Sequence, residues 1–185
     1  MKSNLLIITA LESELSRAVL PPGVGIIYSG IGKVNAALMT YQAIEEFEPK
    51  RIINFGTAGK VNLDLHGLLE IGQVIQRDMQ TEPLAPRGQT PFCPRPQVYR
   101  SPGGIHMCGT GDSFVTAHDP WLQEQGVDVV DMELFAIAAT AYQFQIPWQS
   151  FKYITDDANT QSGNDWQEKV NDGQDAFLLK LKELL

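Results

Sequence analysis

Short apolar runs that alternate with helical stretches constrain this chain more than any other feature. Residues 5–9, 25–28, 51–55, 72–76, 105–108, 127–130 and 149–154 each read as a strand. Three stretches between and after them keep helical spacing. Val34, Ala37, Leu38, Tyr41, Ile44 and Phe47 share one face, and Pro49 marks the stop. Met132, Phe135, Ala136 and Ala139 share another, with Pro147 beyond its end. Trp166, Val170, Phe177, Leu178, Leu181 and Leu185 form the third stripe. All three stripes are expected to face the core. The alternation predicts an α/β fold with a largely parallel or mixed sheet. A length of 185 residues suits one domain, 1–185. Residues 80–104 break the pattern with six prolines and three arginines, Arg87, Arg95 and Arg100. This stretch is expected to be a long surface loop, of the kind that serves as a lid or an oligomer contact.

The chain is 43% hydrophobic and 19% charged, enough to bury a core, and no run reaches the length of a membrane span. The apolar stretch 5–11 is too short for a signal-peptide core and is followed at once by Glu12 and Glu14. It reads as a buried first strand, and the expected compartment is the cytoplasm. The net charge is −8 and no dense cluster of Lys and Arg occurs, which argues against nucleic acid as a partner. Cys93 and Cys108 form no CxxC pair and read as free thiols. His66, His106 and His118 lack metal-ligand spacing, so no metal is expected.

Generic motifs fail. Gly30-Ile31-Gly32-Lys33-Val34-Asn35 starts like a dinucleotide fingerprint but lacks the third glycine. Gly25 and Gly30 have phosphate-loop spacing, yet Ile31 stands where the lysine belongs. Gly111-Asp112-Ser113-Phe114-Val115 lacks the second glycine of a nucleophile elbow. What remains is a set of carboxylates after predicted strands: Glu12 and Glu14, Asp131 and Glu133, Asp156 and Asp157. Singly, each fits a helix cap or a solvated turn. Ligands of open α/β sheets bind at the carboxyl ends of strands, so three such sites could converge on one pocket.

Six motifs, in order along the chain, carry a resemblance. They are Thr9-Ala10-Leu11-Glu12-Ser13-Glu14; Ser29-Gly30-Ile31-Gly32-Lys33-Val34-Asn35-Ala36-Ala37, close to SGIGKVxAA; and Asn54-Phe55-Gly56-Thr57-Ala58-Gly59, matching NxG[ST]AG. Then come the loop 111–115, matching GDxF[IV]; Val130-Asp131-Met132-Glu133-Leu134-Phe135-Ala136, matching VxMExxA; and Ile154-Thr155-Asp156-Asp157-Ala158, matching I[ST]DxA. The sequence resembles the 5′-methylthioadenosine/S-adenosylhomocysteine nucleosidases and their nucleoside phosphorylase relatives. That resemblance implies a single nucleoside phosphorylase-like α/β domain with a central mixed sheet flanked by helices. The domain is trimmed between Glu14 and Ser29, in the central loop and before Asp131. It implies no cofactor, a purine nucleoside as substrate, and a homo-oligomer, a dimer being favoured.

The resemblance also implies roles. Glu14 aligns with the glutamate that activates water, and Asp156 with the aspartate that protonates purine N7. Glu133 aligns with the residue that binds the ribose hydroxyls, with Met132 packed on the sugar. Phe114, Val115 and Ala158 line the base pocket, while Thr57, Ala58 and Gly59 border the sugar and water. Ile31 joins the substrate-binding set. Lys152 stands where the family usually has an arginine near the water, and Lys60 replaces a second glycine. The chemistry suits these types: N-glycoside cleavage needs an acid at the leaving base and a base at the attacking water, and a vicinal diol needs a two-oxygen acceptor. Three readings stay open: hydrolysis by water, cleavage by phosphate, and a catalytically silent nucleoside-binding module.

Overall fold

The computed structural model describes residues 4–159, 169 and 171–185. Strand β1 (Leu5–Thr9) is apolar from Leu5 to Ile8 and buried on both faces, as a central parallel strand should be. It lies between β2 (Gly25–Tyr28) and β3 (Arg51–Lys60), parallel to both. On its other side β3 pairs in parallel with β8 (Trp148–Asp156) and, at its end, antiparallel with β7 (Val129–Asp131). Strand β8 runs antiparallel to β4 (Leu68–Gln76), and β4 runs parallel to β6 (His106–Thr110), which is parallel to β7. Five strands thus close on themselves in the order β3-β8-β4-β6-β7, and β1 and β2 extend outward from β3. Among the described residues the sheet is mixed and eight-stranded.

Helices α1 (Lys33–Phe47), α2 (Pro120–Glu124), α3 (Leu134–Gln143) and α4 (Gln174–Leu184) flank it. One core forms where α1 and α3 meet the sheet, around Ala36, Ala43, Ile44, Leu134 and Ile137. The other forms under α4, where Phe177 stacks on Phe55 at 4.3 Å and Leu181 is buried. Trp166 and Val170 of the third expected stripe lie outside the described residues. None of the described helices is long and apolar enough to cross a membrane.

The structure corrects several expectations. The face of α1 that packs inward carries Ala36, Thr40, Ala43 and Ile44, whereas Val34, Leu38 and Tyr41 are 69%, 63% and 54% exposed. Small residues let α1 approach α3 closely, so Val34, Leu38 and Tyr41 point outward. The end of α1 is as expected: Glu48 adopts a left-handed cap conformation just before Pro49. Strand β3 continues five residues past Phe55, because neighbours on both sides satisfy its backbone through Gly56 and Gly59. Asp131 and Asp156 are the last residues of their strands rather than residues beyond them. The proline-rich stretch is not all loop, since β5 (Val98–Arg100) pairs antiparallel with β4. Its first half is tied down by Arg87, which bonds Asp119 at 2.6 Å, lies 4.3 Å over the Trp121 ring, and donates to the Arg77 carbonyl.

Candidate active site

A cavity of about 180 Å³ opens where the carboxyl ends of β1, β3, β7 and β8 converge. It brings together Glu14, Asp131, Glu133 and Asp156. The other two carboxylates of the sequence pairs stand apart: Glu12 faces solvent, and Asp157 pairs with Lys60 at 3.2 Å. Ile31, Thr57, Ala58, Gly59, Phe114, Val115 and Met132 all line the cavity. Ala158 does not. It borders a neighbouring cavity across Val115, and its backbone N–H donates to Asp156 Oδ1 at 3.0 Å. Sequence reasoning did not place Ala10, Ser113 and Val130 in the lining, although each lies within a quoted motif.

Glu14 sits in the turn that follows β1, and four donors hold its two oxygens. Oε1 accepts from the Thr57 N–H at 2.9 Å and the Thr57 hydroxyl at 2.8 Å. Oε2 accepts from the Thr9 hydroxyl at 3.1 Å and the Leu11 N–H at 3.2 Å. The carboxylate is thereby fixed between β1 and β3 without a cation bound to it in the described structure. Gly56 gives it room: a Cβ there would lie 3.4 Å from Oε1 and 3.2 Å from Lys152 Nζ.

Asp156 is aimed by a β-bulge. The register of β8 against β3 steps from Ala58–Ile154 to Gly59–Asp156, leaving Thr155 as the extra residue. The bulge sets the Asp156 carboxyl directly over Gly59, where a Cβ would lie 2.5 Å from Oδ1. Glycine at 59 is therefore required for the carboxyl to occupy this place. Its Oδ2 accepts from the Thr155 hydroxyl at 3.1 Å.

Glu133 and Asp131 form a buried acidic pair with opposite protonation tendencies. Burial opposes the charge of Asp131, but the Lys152 ammonium at 2.7 Å outweighs it, helped by the Thr110 hydroxyl and the Leu134 N–H. The Asp131 carboxyl is held below the usual carboxylate range. Lys152, 1% exposed, stays charged for the reciprocal reason: burial lowers its pKa, and Asp131 and Glu133 more than reverse that. The Cys108 thiol beside Asp131 is pushed up by burial and by that carboxylate, and it donates to Asp131 Oδ1 as a neutral S–H. With Lys152 committed to Asp131, Glu133 is left with burial and a neighbouring negative charge, which raise its pKa to about 8. Its Oε1 accepts from the Gly32 N–H at 2.9 Å, and among the described residues its second oxygen has no hydrogen bond.

Arg77 is the second buried cation, and it lines the cavity. Its guanidinium donates to the carbonyls of Gly111 and Ser113 and to the Ser113 hydroxyl, while Nε is buried without a partner. Both cations are thus engaged with the protein before any ligand arrives.

The sequence matches the phosphorylase superfamily over residues 22–185. The 5′-methylthioadenosine/S-adenosylhomocysteine nucleosidase of Staphylococcus epidermidis is 30% identical, with 76% of this chain aligned to 71% of that protein. The nucleosidase of the same description from Listeria innocua is 32% identical, over 79% and 74% of the two chains. Among solved structures, the Helicobacter pylori nucleosidase with 5′-methylthioadenosine in its active site superposes with a TM-score of 0.87 at 21% identity, covering 100% of both chains. Futalosine hydrolase of Helicobacter pylori superposes with a TM-score of 0.86 at 19% identity, covering 99% of this chain and 98% of its own. These two structures share the fold. Motif order, site geometry and sequence relatives agree, and the chain belongs to the phosphorylase superfamily, in its 5′-methylthioadenosine/S-adenosylhomocysteine nucleosidase family.

Proposed function

We propose that this protein hydrolyses the N-glycosidic bond of a purine nucleoside of the 5′-methylthioadenosine/S-adenosylhomocysteine type, releasing the free base and a ribose sugar. Asp156 delivers a proton to N7 of the leaving purine, which takes up the negative charge that develops as C1′–N9 breaks. Glu14 removes a proton from the water that attacks C1′. Glu133 accepts from the two ribose hydroxyls, and Met132 packs on the sugar. Phe114 and Val115 hold the base, and Thr57, Ala58 and Gly59 border the sugar and the water. Ile31 lies at the rim.

One observation carries water over phosphate as the nucleophile: four carboxylates line the cavity, and neither buried cation is free to meet a dianion. Lys152 is locked to Asp131, and Arg77 is turned into the loop 111–113. A phosphate beside Glu14 would face about 4 kcal/mol of repulsion per charge pair at 4 Å in a surface-like dielectric. Base release in phosphate-free buffer should therefore run at its full rate, with free ribose sugar as product. Release that depends on added phosphate and yields sugar 1-phosphate would overturn the reading.

The state of Glu133 gives a second expected outcome. A carboxylate accepts from both hydroxyls of a diol, whereas the protonated acid does so less well. Because burial and Asp131 raise Glu133 to about 8, with Lys152 opposing and Glu14 adding to the shift, the charged form is the minor one at pH 6 to 7. KM for ribosides should fall as pH rises through about 8, and KM for 2′-deoxyribosides should change less. Glu133→Gln should remove that pH dependence and, above about pH 8 where Glu133 is charged, cost ribosides about 1.5 to 3 kcal/mol in kcat/KM. Equal losses on both sugars would show that Glu133 does not hold the diol.

The proposed assembly is a homodimer. Val34, Leu38 and Tyr41 form an exposed apolar strip on α1 that continues from Ile31 at the cavity rim, and a second copy would cover it. The proposed compartment is the cytoplasm, in keeping with the unbridged Cys93 and Cys108.

A further inference from the structure

The N-terminus of α1 offers backbone N–H groups that no carbonyl of its own helix can satisfy. Two adjacent ones are taken by carboxylates from different parts of the site. The Gly32 N–H goes to Glu133, and the Lys33 N–H donates to Asp112 Oδ1 at 2.7 Å. Asp112 belongs to the loop 111–115 that carries Phe114 and Val115 into the cavity. The same loop is gripped from below. The Asp112 N–H donates to Asp78 Oδ2 at 2.9 Å, and Lys33 Nζ bonds Asp78 Oδ1 at 2.5 Å while lying 3.9 Å from Asp112 Oδ2. Gly32 is part of the arrangement: its φ is 96°, and a Cβ there would lie 3.3 Å from Asp112 Oδ1.

We infer that Asp112 is a positioning residue that ties the base-contacting loop to the helix end holding the diol carboxylate, so that base and ribose recognition act as one unit. The inference rests on the nucleosidase reading above. Its physical content is the short path from Phe114 through Asp112, Lys33 N and Gly32 N to Glu133. Each link is a hydrogen bond or at most two peptide units. A loop released from the helix end loses its fixed distance to the sugar site. The helix end, relieved of one carboxylate, shifts against the other. The touching groups themselves are unchanged, so the loss falls on ground-state binding more than on the chemical step.

The test uses the full chain with Asp112→Ala and Asp112→Asn, each made alone and with Glu133→Gln. Readouts are kcat and KM for a purine riboside, Kd for the free purine base by calorimetry, and the thermal midpoint. Asp112→Ala is expected to raise KM for the riboside and Kd for the base about tenfold, the loss of one charge-assisted bond, with kcat within about twofold. Asp112→Asn keeps a carbonyl oxygen for the Lys33 N–H and should restore most of the loss. In the Glu133→Gln background the effect of Asp112→Ala on riboside KM should shrink to about threefold or less, since coupled residues are not additive. Equal effects in both backgrounds, an unchanged KM, or a fall in kcat at constant KM would overturn the inference. If the wild-type chain cleaves no nucleoside, the functional reading fails. The base Kd of wild type and of the Asp112 variants still decides whether Asp112 positions the loop.

Discussion

Asp156→Asn is expected to lower turnover about 10²- to 10⁴-fold while leaving the fold in place. The substitution is close to isosteric in an environment that accepts both forms. The amide carbonyl can take the Ala158 N–H that Oδ1 now accepts, and the amide nitrogen can donate to the Thr155 hydroxyl in place of the present O–H to Oδ2 bond. The space over Gly59 is the same for either group. What the amide lacks is an acidic proton to transfer to N7. Base release by the variant, compared with its thermal midpoint and its affinity for the free purine, separates chemistry from binding. Wild-type turnover would remove Asp156 from the role of general acid.

Lys152→Met should have the largest effect on stability. It leaves Asp131 fully buried with its cation gone, and breaking such a pair costs about 3 to 5 kcal/mol. For a domain of this size that corresponds to a fall of roughly 6 to 20 °C in thermal midpoint. Lys152→Met combined with Asp131→Asn should recover much of the loss, because neither residual group then carries an unpaired charge. A single variant as stable as wild type would mean that Asp131 takes up a proton at little cost. The pH dependence has a definite sign. Asp131 is held below 3.8, so its contribution is present above that value and lost as pH falls below it. Lys152 is raised above 10.5, so its contribution is present below that value and lost as pH rises beyond it. The pair's contribution should stay level through neutral pH, and the wild type should lose stability relative to the double variant only at the acid and alkaline extremes.

The ion pair also explains how one strand end supplies two unlike carboxylates. Asp131 and Glu133 are two residues apart, yet one is held charged by Lys152 and the other is pushed toward neutrality by burial and by Asp131 itself. Lys152 acts on the site through this division as much as through its own position on β8. The Pro-rich stretch has a comparable indirect role. Arg87 joins it to Asp119 and Trp121 and to the backbone of Arg77, whose side chain supports the loop 111–113. That half of the stretch braces the loop that carries Phe114 and Val115 into the cavity.

Much of the architecture was legible in the linear pattern, because strand and helix periods report which side of an element is dry. The apolar run of β1, the αβ alternation and the stop at Pro49 all follow from local chemistry. Glu14, Glu133 and Asp156 could be singled out among six carboxylates after strands because the motifs around them resemble those of a known family. Contacts distant in sequence decided the rest. The face of α1 could not be read from hydrophobicity, since close packing against α3 selects Ala36 and Ala43 over Leu38 and Tyr41. The length of β3 depended on partners more than 60 residues away, which satisfy a glycine-containing backbone that local propensity would end early. Whether Asp131 or Glu133 carries the charge depended on a lysine about 20 residues further on, and the aim of Asp156 on a bulge opposite Gly59. Sequence specifies which groups can ionise, accept and pack. Only the closed sheet sets them at the distances where burial and Coulomb attraction choose among those options.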